Sequence, residues 1–311
     1  MTQKILVSAP PMLHVLDELD FESKSLGLEL EGAEVTQTLS ESQLVKLLPK
    51  FDGWIVGDDP GTLKVFQAGK KGNLKAAIKW GIGVDNIDFQ ACRDLGIPIT
   101  NTPGMFGNEV ADIALAYLIG LSRNIVLVDR NVRKGKWIKP QGISLEGKKV
   151  ALLGYGDIGR NAARRLNVMG MKVIAYDPYI SENELEDGSI LSTWPIGIEQ
   201  ADFLLITCAL NKETFHLINE HVFIKMKKGV RIINVSRGPI IKEEDLIKAL
   251  ENETVHSAAL DVFEEEPLPL QSKLRNYEYC IFGSHNASNT KEAVLKTSKK
   301  AIQLLSEFLR N

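Results

Sequence analysis

Short apolar runs alternate with amphipathic stretches along the first hundred residues. Five runs have the length and composition of buried strands, and they cover residues 4–9, 34–39, 53–57, 76–80 and 97–100. Between them, the stretches 41–50 and 86–96 carry apolar residues at helical spacing. Strands that alternate with helices are typical of a parallel sheet with helices on both faces, so the pattern predicts an α/β domain.

A second series of the same kind follows a polar segment at 135–149. Its predicted strands are 150–154, 172–177, 202–208, 230–236, 256–263 and 279–283, and its predicted helices are 157–169, 213–227 and 242–252. Six such strands match a complete dinucleotide-binding sheet. The last stretch, 290–309, predicts a helix with no strand after it, so we expect it to return to the first domain.

Composition narrows the class of protein. The chain of 311 residues is long enough for two domains, and 44% hydrophobic with 25% charged residues excludes a disordered chain. A net charge of −3 argues against a general partner of nucleic acid or of anionic membranes. The apolar region 110–128 is interrupted by Asp112, Arg123 and Asn124, which favours a long buried or interface helix over a membrane span.

Cysteine usage and the first residues indicate the compartment. Cys92, Cys208 and Cys280 lie far apart, so they form no C-x-x-C motif, and we predict neither a metal site nor a disulfide framework. Each lies among apolar residues, where a buried cysteine behaves as a small hydrophobe. The start of the chain has too short an apolar stretch for a signal peptide. These features predict a reducing, cytoplasmic location.

A glycine pattern lies where the second series begins. Gly154, Gly156 and Gly159 form G-x-G-x-x-G between a predicted strand and a predicted helix, the context that a dinucleotide fingerprint requires. The helix N-terminus would then offer free N–H groups to a pyrophosphate. The candidate phosphate-binding residues are Gly154, Tyr155, Gly156, Asp157, Ile158 and Gly159. An ordinary strand–turn–helix with incidental glycines is the alternative.

An acidic residue follows at the expected distance. Asp177 ends the next predicted strand, 18 residues after Gly159, and its carboxylate would accept hydrogen bonds from both ribose hydroxyls. It would also repel a 2′-phosphate, and the residues after it offer no arginine to bind one. The sequence therefore predicts NAD as cofactor in preference to NADP.

Four motifs, taken in order, resemble the NAD-dependent D-2-hydroxyacid dehydrogenase family. They are LLGYGDIG (152–159), NVSRGPII (234–241), ALDVFEEEPLPL (259–270) and GSHNAS (283–288), and the likeness extends to KWGIGVDNID (79–88) and NTPGMFGNEVAD (101–112). The chain is most similar to phosphoglycerate-dehydrogenase-like members without a regulatory domain.

The resemblance assigns catalysis to Arg237, Glu266 and His285. Oxidation of a 2-hydroxy acid removes a hydroxyl proton, and histidine suits that task near neutral pH. A carboxylate on the other ring nitrogen orients the imidazole, and a planar arginine suits a substrate carboxylate. Arg237 as a structural ion-pair partner, and Glu264 or Glu265 in place of Glu266, are the alternatives.

Further positions follow from the same resemblance. The substrate-binding residues would be Trp80, Ile82, Gly83, Val84, Arg237 and His285, and the glycines would let the backbone approach a ligand closely. Residues of the later motifs that would lie against NAD are Cys208, Ser236, Arg237, Asp261 and His285. Asp261 would either lie near the nicotinamide carboxamide or order the end of its strand.

The expected fold class is α/β with two doubly wound parallel-sheet domains. A Rossmann coenzyme domain (101–285) would be inserted in a flavodoxin-like substrate domain (1–100 and 286–311), with NAD and a small 2-hydroxy or 2-oxo acid in a cleft that closes on them. The family also implies a homodimer, with the apolar helix 108–128 at its interface.

The expected function is hydride transfer between NAD(H) and a small 2-hydroxy or 2-oxo acid. We place 3-phosphoglycerate first and glyoxylate or hydroxypyruvate second. The loop 58–62 is acidic, which weakens the phosphoglycerate assignment and leaves Lys64 and Lys79 as candidate phosphate ligands, with Lys136 or Lys139 from a partner subunit. An NAD(H)-sensing scaffold is an alternative of another class. A phosphite or formate dehydrogenase is a third, against which Glu266 argues.

Overall fold

The computed structural model describes residues 2–185 and 187–310, and the chain packs into two compact units. The first unit comprises Met1–Met105 and Asn289–Asn311, and the second unit comprises Phe106–Ser288. The sequence places the two boundaries after residues 100 and 285. The structure places each a few residues later, in the loops that follow the last strand of the first sheet and precede the C-terminal helix.

The elements follow one another in α/β order. Up to residue 105 they are β1 (Gln3–Val7), α1 (Pro10–Leu13), α2 (Leu16–Ser25), β2 (Leu28–Gly32), α3 (Glu41–Leu47), β3 (Gly53–Val56), α4 (Leu63–Lys71), β4 (Ala76–Lys79), α5 (Phe89–Asp94) and β5 (Ile99–Asn101). Then come α6 (Gly107–Arg123), α7 (Ile125–Arg133), β6 (Lys149–Leu153), α8 (Asp157–Val168), β7 (Lys172–Tyr176), β8 (Ile190–Leu191) and β9 (Phe203–Ile206). The last are α9 (Glu220–Phe223), β10 (Val230–Asn234), α10 (Glu243–Glu251), β11 (Val255–Leu260), β12 (Ile281–Phe282) and α11 (Lys291–Arg310).

The first unit is a five-stranded parallel sheet in the order β2-β1-β3-β4-β5. Its core includes Trp54 and Phe66, whose ring centroids lie 5.8 Å apart. Helix α11 returns to pack on β3 and β4, where Leu305 is fully buried. This packing completes the helical cover of the sheet with a segment from the far end of the chain.

The predicted strand at 34–39 is wrong. The strand in this region is β2, which comes earlier and lies at the sheet edge. An edge strand needs less apolar surface than a central one. Leu28 and Leu30 alternate here with Glu29 and Glu31, so the strand contains no continuous apolar run. Leu39, at the end of the predicted strand, donates its N–H to the Asp59 carboxylate at 2.6 Å rather than to a neighbouring strand.

The second unit is a seven-stranded parallel sheet in the order β12-β11-β10-β9-β6-β7-β8. The six predicted strands are present, and the two-residue β8 is added at one edge. With both sheets parallel, the predicted fold class is confirmed. The predicted helix 213–227 is wrong over most of its length, because Thr214 bonds within a turn, His216 has a φ of 50°, and only the short α9 is helical.

The apolar region 110–128 is two helices rather than one. Asn124 adopts a left-handed backbone with φ 54° between α6 and α7, and the two axes differ by 67°. Among the described residues no single helix has the length and hydropathy of a membrane span, although this bent pair meets both criteria jointly.

Candidate active site

The glycine loop after β6 is tightly packed at two points and open at a third. Gly154 has φ 94°, and a Cβ there would lie 2.5 Å from the Cα of Cys208. A Cβ on Gly159 would lie 2.3 Å from the Gly154 carbonyl oxygen, so this glycine permits close packing of α8 on the sheet. A Cβ on Gly156, by contrast, would meet nothing within 4 Å. The open space lies at the N-terminus of α8, where a pyrophosphate would be stabilised.

Asp177 is tied to this loop at the end of β7. Its Oδ2 accepts the Tyr155 N–H at 2.8 Å, and its Oδ1 accepts the Tyr179 N–H at 3.0 Å. The Tyr155 side chain is buried, with the Arg160 guanidinium 5.6 Å from its ring centroid, so this residue presents backbone rather than side chain to the loop. A carboxylate fixed beside the glycine loop fits the ribose of NAD.

The remaining loop residues lie around the start of α8. Asp157 and Ile158 open this helix, and Ile158 is half-buried. A Cβ on Gly107, the first residue of α6, would lie 2.3 Å from Asp157 Oδ1, so the two helix N-termini approach each other there. This convergence brings the N-terminal ends of two helix dipoles near the open space beside Gly156.

The ends of β9 and β10 are joined by a hydrogen bond from the Ser236 hydroxyl to the Cys208 carbonyl. Burial raises the pKa of the Cys208 thiol to about 12, so the thiol stays protonated near neutral pH. Cys208 and Ser236 thus shape the sheet edge against which the glycine loop packs.

Arg237 lies just beyond β10 in a loop fixed by Asn234. The buried Asn234 amide donates to the Arg237 carbonyl at 2.9 Å and accepts the Ser236 N–H at 3.0 Å. The next residue, Gly238, packs so closely that a Cβ would lie 1.8 Å from the Phe263 carbonyl carbon. The loop that carries Arg237 is therefore held directly against the segment that leads to Glu266.

His285 and Glu266 form a hydrogen-bonded pair. The distance from His285 Nδ1 to Glu266 Oε2 is 2.8 Å, and each side chain is 23% exposed. The other carboxylate oxygen of Glu266 accepts the Phe263 N–H at 3.0 Å, which fixes the orientation of the carboxylate. With Nδ1 engaged, Nε2 is the ring nitrogen that can exchange a proton with a bound molecule.

Asp261 holds the backbone around His285. The histidine has a left-handed φ of 55°, a conformation that costs roughly 1–2 kcal/mol for a residue other than glycine. Its N–H donates to the Asp261 carbonyl at 2.6 Å, and the Asp261 Oδ2 accepts the Ala287 N–H at 2.8 Å. Of its two anticipated roles, Asp261 performs the ordering of the strand end, and its contact with the coenzyme stays a prediction.

Glu264 belongs to a different pair. One of its oxygens bonds the Nε2 atom of His216, and the other accepts the Glu243 N–H at 3.3 Å. His216 also stacks on Phe215, with ring centroids 4.0 Å apart. Glu264 and Glu266, two positions apart in a segment of bends, thus reach different histidines. Glu266 is the carboxylate that the structure places at His285.

The predicted substrate loop follows β4 in the first unit. Trp80 is buried and donates its indole N–H to the Ser298 hydroxyl at 3.1 Å. Gly81 has φ 117°, and the Asn101 side-chain amide donates to the Ile82 carbonyl at 2.9 Å. The loop continues with Gly83, which is half-buried, and Val84, which is 38% exposed. It lies at the carboxyl edge of the sheet, where ligands bind in open α/β sheets.

The two candidate lysines are already engaged. The buried Lys79 donates to the Gly57 carbonyl at 2.7 Å, to Asp58 Oδ1 at 3.0 Å and to the Trp80 carbonyl at 3.2 Å. These three acceptors use all three donors of an ammonium group. Lys64 forms an exposed ion pair with Glu41 at 2.9 Å.

The family model for the D-isomer specific 2-hydroxyacid dehydrogenase, NAD binding domain, matches residues 115–287. The chain belongs to this family. It is thus an NAD-dependent oxidoreductase that acts on CH–OH groups. The open space beside Gly156 and the nearby Asp177 carboxylate fit this coenzyme.

Relatives of about the same length as this chain, and longer ones, support the same family. The chain is 36% identical over 304 residues to hydroxypyruvate reductase of Thermotoga maritima, which covers 96% of this chain and 98% of that protein. It is 36% identical to D-3-phosphoglycerate dehydrogenase 2, chloroplastic, of Arabidopsis thaliana, over 91% of this chain but 46% of that protein. A glyoxylate reductase structure from Paecilomyes thermophila superposes with a TM-score of 0.86 at 28% identity, covering 100% and 97% of the two chains. The chain spans about half the length of the phosphoglycerate dehydrogenases that it matches.

Proposed function

We propose that this protein reduces small, non-phosphorylated 2-oxo acids, with hydroxypyruvate and glyoxylate as the first candidates. The observation that carries the proposal is the 2.8 Å contact between His285 and Glu266, which follow β12 and β11 of the sheet whose β6 leads into the glycine loop. NADH, when bound, supplies a hydride to the carbonyl carbon of the substrate. The chain must then supply a proton, bind the substrate carboxylate and hold the reacting groups in place.

Each task has a residue in the second unit. His285 donates a proton from Nε2 to the carbonyl oxygen, and Glu266 at Nδ1 stabilises the charged imidazole before the transfer. In the oxidation direction the same nitrogen accepts the hydroxyl proton. Arg237, on the loop fixed by Asn234, offers a planar guanidinium to the substrate carboxylate and polarises the 2-oxo group. Trp80, Ile82, Gly83 and Val84 of the first unit are proposed to contact the substrate.

The charges near the substrate loop favour an uncharged substrate tail. A phosphate group requires cations whose charge is not already neutralised. The first arginine of the chain is Arg93, and the loop after β3 carries Asp58 and Asp59. Asp58 neutralises Lys79, and Glu41 neutralises Lys64. We therefore rank hydroxypyruvate and glyoxylate above phosphorylated acids, which reverses the order expected from the sequence.

A substrate comparison tests this ranking. NADH oxidation should be measured with glyoxylate, hydroxypyruvate and 3-phosphohydroxypyruvate. We expect kcat/KM for hydroxypyruvate to exceed that for the phosphorylated acid by about a hundredfold, since unfavourable like-charge contacts cost several kcal/mol. Asp58→Asn removes one negative charge and leaves the positive charge of Lys79 without its carboxylate partner. The preference for hydroxypyruvate over 3-phosphohydroxypyruvate should therefore fall by about tenfold.

The control is Asp52→Asn. Asp52 also pairs with a lysine, Lys75 at 2.9 Å, but it precedes β3 and therefore lies at the opposite edge of the sheet. Its substitution should leave the substrate ratio unchanged. A wild-type preference for 3-phosphohydroxypyruvate contradicts the ranking. Tight NADH binding without reduction of any 2-oxo acid contradicts the enzymatic proposal and favours the NAD(H)-sensing scaffold.

We also propose a homodimer, as the family resemblance implies. Val110, Leu118 and Leu121 of α6 are buried, and the exposed large apolar side chains of this region lie further along the chain. Ile125 and Val132 on α7 are 51% and 44% exposed, and Trp137 is 80% exposed. Light scattering should report a dimer for the wild type and a monomer for Val132→Glu combined with Trp137→Ser. A wild-type monomer at micromolar concentration contradicts the proposal.

A cytoplasmic location is the proposal that the thiols support. Cys92, Cys208 and Cys280 are free, and burial raises their pKa values to about 12, about 12 and about 11. Thiols of this kind neither form a disulfide framework nor react readily. Cell fractionation with a cytoplasmic marker tests the location, and recovery in a secreted fraction contradicts it.

A further inference from the structure

A tyrosine that belongs to none of the sequence motifs donates a hydrogen bond to the strand end behind His285. Tyr117 lies on α6, and its hydroxyl donates to Asp261 Oδ1 at 3.0 Å. Asp261 is 2% exposed, so its carboxylate depends on protein partners rather than on water. Helix α6 is thereby bonded to the strand end that precedes the histidine segment.

The third member of this contact is Gly283. A Cβ at that position would lie 2.1 Å from Asp261 Oδ1 and 2.3 Å from the Tyr117 hydroxyl oxygen. Only glycine leaves room for both oxygens at this point of the chain. Three segments distant in sequence therefore converge on one carboxylate oxygen.

Asp261 binds the backbone of the histidine segment at two points, through its main-chain carbonyl and through the carboxylate that Tyr117 contacts. The Asp261 carbonyl accepts the His285 N–H at 2.6 Å, and its Oδ2 accepts the Ala287 N–H at 2.8 Å. Between these bonds His285 has its left-handed φ of 55°, and its Nδ1 meets Glu266. A rotation of the carboxylate would release the Ala287 N–H and the backbone constraint beyond the histidine.

We propose that Tyr117 is a positioning residue for His285, acting through Asp261. The inference rests on the proposed function, in which His285 is the proton donor. Two bonds to the two carboxylate oxygens fix the plane of the Asp261 side chain, whereas the Ala287 N–H alone leaves it free to rotate. Burial and the Asp261 charge raise the pKa of Tyr117, so its hydroxyl keeps the proton that it donates.

The test compares two tyrosine variants of the second unit. Tyr117→Phe removes the hydroxyl that reaches Asp261. Tyr176→Phe removes a hydroxyl that donates to the Ile196 carbonyl at 2.8 Å, in a contact with no part of the histidine segment. Steady-state reduction of hydroxypyruvate, NADH binding by fluorescence, and the downfield ¹H NMR resonance of the hydrogen-bonded His285 Nδ1 proton should be recorded for each. The resonance is assigned by its loss in His285→Ala.

We expect Tyr117→Phe to lower kcat about tenfold, because the hydrogen bond that it loses is one of those that position the reacting histidine. KM and the Kd for NADH should stay within about twofold of wild type, and the Nδ1 resonance should broaden or move. Tyr176→Phe should leave the rate and the resonance unchanged.

Two outcomes overturn the proposal. One is a Tyr117→Phe enzyme with wild-type kcat and resonance. The other is slower turnover with an unmoved resonance, which indicates a general structural role. The resonance is recorded without substrate, so a wild type inactive on every 2-oxo acid rejects the proposed function while the NMR comparison still decides the role of Tyr117.

Discussion

At the scale of single residues, the site depends on the partners that its carboxylates bind. Glu266 bonds His285 through one oxygen and accepts the Phe263 N–H through the other, so both oxygens have a protein partner. Asp59 in the first unit is similarly placed, with its oxygens at the Ser8 hydroxyl and the Leu39 N–H. Its charge is nevertheless costly, because burial raises the pKa of its carboxyl above the usual value and outweighs both hydrogen bonds.

This pKa shift predicts a pH-dependent difference in stability. A raised folded-state pKa means that the stabilising contribution is complete below the unfolded pKa near 3.8 and is lost as the pH rises through the folded value. Asp59→Asn carries no titratable group, so its free energy of unfolding relative to wild type should rise as the pH increases over that interval. Urea unfolding of both proteins across this pH range provides the measurement. A difference that is constant or falls with pH contradicts the shift.

The sequence could predict some site residues and not others, for physical reasons. Arg237, Glu266 and His285 lie in ordered local motifs, and motifs are visible in a sequence. Tyr117 acts through a contact with Asp261 across 144 positions, on a helix whose pattern otherwise indicates only packing. The neutralised charge of Lys79 was equally hidden, because a sequence shows a lysine but not the acceptors around it.

At the scale of elements, the candidate site residues of the second unit lie where parallel strands end. The glycine loop follows β6, Asp177 follows β7, Cys208 follows β9 and Arg237 follows β10. Central strands such as β6 and β9 are buried on both faces and appear as continuous apolar runs, so the sequence predicts them well. The edge strands β2 and β8 lack that signal, and the helix expected at 213–227 fails because polar side chains bond to local backbone instead.

Two glycines of the same loop should respond differently to alanine. Gly156→Ala places its methyl group in open space, so the melting temperature should hold while NADH affinity falls about tenfold, because a coenzyme phosphate needs that space. Gly159→Ala places its methyl group 2.3 Å from the Gly154 carbonyl oxygen, and overpacking of this kind costs about 1–3 kcal/mol.

Circular dichroism melting and NADH fluorescence titration measure both effects. The two variants serve as controls for each other, since they make the same chemical change three residues apart. Unaltered NADH affinity in Gly156→Ala is the result that would place the coenzyme elsewhere.

At the scale of the whole molecule, the sequence of the second unit is inserted between the two segments that form the first unit. It leaves the first unit after Met105, completes the second, and returns at Asn289 to add α11. The two sheets could be predicted because the strands of each are contiguous in sequence, and two apolar-run series separated by a polar segment reveal them. The unit boundaries depend on packing, which a run of residues does not show.

The most direct test of the proposed chemistry is a comparison of His285→Ala with wild type. NADH binding should persist with a Kd within about threefold, while kcat for hydroxypyruvate reduction should fall by about 10²–10⁴, the usual contribution of a general acid. Glu266→Gln keeps the shape of the histidine's partner but removes its charge. Its kcat should lie between those of wild type and His285→Ala. A His285→Ala enzyme that retains NADH binding and turns over within tenfold of wild type would contradict the assignment of the proton donor.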